Sequence, residues 1–133
     1  MGSFSDFLEN ELLDHIFKTG PYTPETNIYV ALCTSTPDDA DTGSSLPGEL
    51  IGGGYLRKKC NTWDAAAAGA TENTQTVTFP QATADLGTVT HFALCNKTTL
   101  GNHLAWGALS SPRVISSGDT ASFATGDLDV TLD

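Results

Sequence analysis

The sequence predicts a mainly β fold: an antiparallel β-sandwich or barrel of about seven to eight short strands behind one N-terminal amphipathic α-helix. Three observations carry this reading. Apolar residues repeat at helical spacing only at the start of the chain. Beyond it, short apolar or alternating runs are separated by Gly, Pro, Asn and Asp turns. No helix-sized crossover lies between those runs, which disfavours a parallel sheet. The 133 residues are the size of one ordinary domain. We divide residues 1–133 into a helix over 3–18 and a β domain over 27–133 that carries a long loop at 35–54.

The helix is the clearest element. Phe4, Leu8, Leu12 and Ile16 recur every four residues, and Phe7, Leu13 and Phe17 widen the stripe. Glu9, Asn10, Glu11 and Asp14 take the other side. Ser3 is placed to cap the start, with Asp6 three residues on, and Gly20-Pro21 to end it. So much apolar surface on one short helix requires a partner, either the chain's own sheet or a neighbouring subunit.

Strands follow in order. Asn27 to Thr34 (NIYVALCT) reads as a strand buried on both faces. The 35–54 loop is rich in Asp, Pro and Gly, and Gly52-Gly53-Gly54 reads as a hinge. Further strands are expected at 55–63, at 74–79 and at 88–95 (TVTHFALC), whose FALCN echoes the VALCT of the first. Others are expected at 103–109, 113–115, 121–123 and 128–132. In the last, Leu128, Val130 and Leu132 alternate inward against Asp127, Asp129 and Thr131.

Charge narrows the function classes. Sixteen acids against six bases give a formal charge of −10, a surface that repels a phosphate backbone. Arg57, Lys58 and Lys59 form the only basic cluster, read as a solvated strand edge. No apolar run approaches the roughly 18 residues of a membrane span. The three cysteines, Cys33, Cys60 and Cys95, are odd in number and widely spaced, so they read as free thiols rather than a disulfide framework. With no basic, apolar leader at the start, synthesis in a reducing cytoplasm is expected.

No catalytic, cofactor-binding or metal constellation emerges. Gly52-Gly53-Gly54 precedes a strand, not the helix that a phosphate loop requires. Asp38, Asp39 and Asp41 resemble a calcium loop only faintly, and a mobile acidic loop is the plainer reading. His91 and His103 fall on strands expected to pair, but they lack a further ligand at metal spacing. Neither a cofactor nor a small-molecule substrate is expected. The candidate assembly interface is therefore Phe4, Leu8, Leu12 and Ile16 on the helix, with the 35–54 loop as a second contact element and Trp106 as an anchor if exposed.

Several segments carry a family resemblance. SFSDFLENELLDHIF, IYVALCT, GGGYLRK, VTFPQATADLGTVTHFALCN and LAWGALSSPRVISSGDTASFATGDLDVTLD together resemble small virion structural proteins of tailed double-stranded DNA bacteriophages. Members of that group are labelled tail-fibre or capsid-decorating (cement) proteins. The resemblance implies a non-enzymatic role in the virion, on the outer capsid surface or the tail, and brings no catalytic motif. The first reading is a cement protein, a homotrimer that bridges major-capsid subunits and binds copies of itself, without direct contact to nucleic acid or membrane. The alternative is a tail-associated or tail-fibre protein, with binding of host-surface glycans through an aromatic platform at Trp63 or Tyr55 as one form of that reading.

Overall fold

A computed structural model of the protein describes residues 3–132. The chain opens with a two-residue strand, β1 (Ser3–Phe4), and enters helix α1 (Asp6–Phe17) through Ser5. The expected cap at Ser3 is thus displaced by two residues. Ser5 has extended backbone and accepts the Leu8 N–H at 3.3 Å, as an N-cap does. Its own hydroxyl donates to the His103 carbonyl and its N–H to the Leu104 carbonyl, which holds Ser3 and Phe4 in the sheet. At the other end Thr19 adopts φ 56°, and the Lys18 and Gly20 N–H groups both reach the Asp14 carbonyl.

The remaining strands are β2 (Tyr29–Cys33), β3 (Lys58–Lys59), β4 (Ala70–Glu72), β5 (Val77–Thr78), β6 (Gly87–Cys95), β7 (His103–Ile115), β8 (Ser122–Phe123) and β9 (Asp129–Thr131). Four of them join β1 in one antiparallel sheet in the order β1-β7-β6-β2-β3. β4 with β9, and β5 with β8, make two separate two-stranded ribbons. The sheet has two ends, so the barrel is excluded, and the ribbons are separate pieces rather than one continuous second sheet. The expected strand at 55–63 contracts to Lys58–Lys59, flanked by the glycine turn on one side. On the other side the Asn61 side chain takes over the Ile28 N–H that a longer strand would have bonded. The expected strands at 103–109 and 113–115 merge into β7 across a large irregularity. There Val89 faces Arg113 but His91 faces Ala108, so Leu109 to Pro112 are extruded opposite Thr90.

The two echoing runs are direct neighbours: Val30 pairs with Leu94, Ala31 with Ala93 and Leu32 with Phe92. Alternation then separates two cores. Val30, Leu32, Phe92 and Leu94 pack with Val77, Phe79 and Leu128 of the ribbon region. Ala31, Cys33, Ala93 and Cys95 pack on the other face with Leu46 from the 35–54 loop and with Trp106. The inward alternation expected of the last strand fades along its length. Leu128 is 0% exposed and Val130 half-buried, but Leu132 is 59% exposed because β9 runs past the edge of the core.

Candidate functional site

The 35–54 loop is the lid of the second core, and an arginine holds it there. Arg57 precedes β3, and its side chain is buried beneath the loop. Its Nε and Nη2 donate to the two carboxylate oxygens of Glu49 at 2.7 Å each. Nη2 also reaches the Gly43 carbonyl at 2.6 Å, and Nη1 the carbonyls of Lys97 and Leu100 at 3.1 Å. One guanidinium thus ties the loop, the β6–β7 turn and the edge of the sheet together with all its nitrogens engaged. This corrects the reading of residues 57–59 as a solvated edge, which fails for Arg57. Close approach at Gly43 completes the closure: its N–H donates to Gly101 at 3.1 Å, and a Cβ there would lie 2.2 Å from the Leu100 oxygen.

The loop's acids are spent on its own architecture. The Asp41 carboxylate accepts the Asp38 N–H at 2.7 Å, and Asp38 accepts the Ala40 N–H at 3.1 Å. Asp39 accepts the indole N–H of Trp106 at 2.9 Å. Trp106 is therefore half-buried and fastened to its own chain rather than free as an anchor. Gly52, Gly53 and Gly54 all take left-handed backbone (φ 76°, 55° and 79°), a run that only glycine accommodates readily.

Both aromatics proposed as a glycan platform are half-buried, with their polar groups bonded within the chain. The Tyr55 hydroxyl donates to Glu49 at 2.9 Å and accepts the Leu32 N–H at 3.1 Å, and its ring stacks on Phe79. Burial, then the Glu49 charge, push its phenol up. Trp63 donates to the Cys60 carbonyl at 3.0 Å and leans on the main core.

No reactive constellation appears among the described residues. His91 faces Ala108 and His103 faces Cys95, which separates the histidines by about 13 Å along the sheet at about 3.3 Å per residue. Among the described residues no group of three or more His, Cys, Asp or Glu is arranged to hold a metal ion. The cysteines are free and buried. Burial, followed by the Glu49 charge, pushes Cys33 up to about 12; burial above all pushes Cys95 up to about 11. Such thiols are not nucleophiles at neutral pH. A concavity of about 870 Å³ between the end of β7 and residues 119–127 is open to solvent. Its carboxylates, Asp119 and Asp127, accept backbone N–H groups of their own turns at 2.8 and 2.7 Å.

The helix divides the expected interface residues. Phe4 and Leu8 lie against the main core, joined by Phe7, and Leu12 is half-buried. Ile16 is 65% exposed, Leu13 54% and Phe17 76%. Positions 13, 16 and 17 are neighbours on one helix face, so they form one apolar patch. No residue of α1 is buried. The expected stripe is therefore two surfaces: one resting on its own sheet, the other facing solvent at the helix's final turns.

Comparison with known proteins identifies the family. No curated protein matches the chain. A family model described as "Podophage GP4 fiber I protein gp80" matches residues 3–131. That description names a fibre protein; it lends no support to the capsid-decorating homotrimer and favours the tail-fibre alternative. The match spans all but the ends of the chain, which belongs to this family and is a small tailed-phage virion structural protein of tail-fibre type.

Proposed function

We propose that the chain is a building block of the tail fibre and works without catalysis. It would bind copies of itself and neighbouring fibre or tail subunits, in place of the major capsid protein expected at first. The observation that carries this is the patch of Leu13, Ile16 and Phe17, three large apolar side chains left in water on a well-formed helix. Burying such side chains is worth about 1.5–3 kcal/mol each, and a repeated contact in a symmetric assembly multiplies modest interfaces. The engaged acids, inert thiols and separated histidines support a structural role. A glycan-binding form of the proposal draws nothing from Trp63 or Tyr55, whose polar groups point into the protein.

The test is reconstruction of particles carrying this chain by electron microscopy. The expected result is density for the fold in the tail, with the 13–17 turn of α1 against another subunit. Density on the head shell, or a tail-bound copy with that turn in solvent, would refute the proposal.

A further inference from the structure

Residues 3–17 form an arm, β1 followed by α1, in which no helical residue is buried. Its seat on the sheet is nonetheless specific. Ser3 pairs with Trp106 and Phe4 with Ala105. The Ser5 hydroxyl and N–H donate to the His103 and Leu104 carbonyls, and the Asp6 N–H donates to the Asp39 carbonyl at 2.8 Å. Phe4, Phe7 and Leu8 lie against the main core. None of these contacts depends on which copy of the chain supplies the arm.

The connection from the arm to β2 is built differently. Pro21, Thr23 and Pro24 are exposed. Among the described residues, no hydrogen bond between backbone groups ties residues 21–25 to the body. The tie comes only at the Thr26 carbonyl, which accepts from the Asn61 side chain at 3.3 Å. Each proline fixes its own φ and disfavours helical backbone in the residue before it, so the segment favours extended chain. Fully extended, the ten residues 18–27 span about 33 Å. The corner at their head is strained, because Thr19 is β-branched yet holds φ 56°. There the chain reverses. The Lys18 and Gly20 N–H groups fold back to the Asp14 carbonyl at 2.9 and 3.0 Å, and His15 Nδ1 lies 2.8 Å from the Gly20 carbonyl. The exposed Leu13, Ile16 and Phe17 occupy the helical turns directly before this corner.

We propose that the β1–α1 arm is exchanged between copies, so that the arm of one chain occupies the seat on the sheet of a second, with residues 18–27 as the hinge. Such exchange presupposes the self-associating fibre subunit proposed above. Every contact of the seat is remade in trans, so the seat cancels in the balance between the two forms. Two contributions do not cancel. Opening the corner lets Thr19 leave the left-handed region. The final turns of the helix then lie between the two bodies, where Leu13, Ile16 and Phe17 leave water. Both favour exchange against the freedom lost on association, and the high local concentration within an assembly reduces that loss.

The experiment mixes nitrogen-15-labelled and carbon-13-labelled full chains, unfolds and refolds them together at millimolar concentration, and follows mass by light scattering. Isotope-filtered NMR then looks for contacts between the Ser5 and Asp6 amide protons of one label and the carbon-bound protons of Leu104 and Asp39 of the other. The expected result is an oligomer that shows these contacts between labels. An oligomer that shows them only within one label would overturn exchange and leave the patch interface and the fibre reading standing. A monomer at every concentration would overturn it too, with the fibre reading still decided by particle reconstruction. Thr19→Gly, which takes the left-handed corner freely, should move the equilibrium about tenfold towards the single chain. No shift, or a shift towards the oligomer, would overturn residues 18–27 as the hinge.

Discussion

The 35–54 loop and helix α1 invert the usual relation between composition and burial. The loop is polar and glycine-rich, yet it seals a core of Ala31, Cys33, Ala93 and Cys95. The helix is among the most apolar stretches of the chain, yet none of its residues is buried. The loop succeeds because its polar groups are satisfied: Arg57 binds Glu49 and three carbonyls, and Gly43 lets two backbones meet. The helix stays open because the sheet beneath it is used up by Phe4, Phe7 and Leu8. Side-chain hydrophobicity is thus a poor guide to which element closes a core.

The comparison can be broken most severely at the guanidinium. Arg57→Ala leaves Glu49 and three carbonyls without their donor and should cost roughly 3–5 kcal/mol, as removal of one partner from a buried pair does. Chemical denaturation would measure it. Cys33 and Cys95, inert beneath the closed loop, should then react with a thiol reagent; slow modification equal to wild type would show that something else holds the lid. Gly43→Ala attacks the same closure through the backbone. With a Cβ 2.2 Å from the Leu100 oxygen, the loop and the β6–β7 turn must separate, at a cost on the order of 1–3 kcal/mol. Retention of wild-type stability would mean the loop can shift freely.

The open side of the comparison predicts small effects on folding. Replacing Leu13, Ile16 and Phe17 together by Ser should change unfolding free energy by no more than about 0.5 kcal/mol per site, as at exposed positions. A cooperative loss of several kcal/mol would place those side chains in the fold rather than at an interface. Leu132→Ser, at an exposed position on the fading end of the last strand, should be the mildest of all, within about 0.5 kcal/mol by thermal melting.

Much of this arrangement was legible in the sequence, and the rest was hidden for physical reasons. The helix and the paired strands β2 and β6 follow from periodicity and from apolar runs that reflect local backbone geometry. β1 does not: Ser3 and Phe4 are extended only because β7 offers them partners some hundred residues away. The burial of Arg57 was invisible for the same reason. Its partners lie between 8 and 43 residues off along the chain, and a basic triplet looks solvated until they are found. The stripe on α1 was visible, but not its division, because only packing shows how far the sheet extends beneath it. The interface candidates Phe4 and Leu8 read the same in sequence as Ile16, yet two rest on the core and one on water.

The most direct test of the account is to assemble particles with the chain carrying Leu13→Ser, Ile16→Ser and Phe17→Ser. The account predicts a protein that folds and melts like wild type but is missing from the tail. Full occupancy of the tail by that folded variant would contradict it.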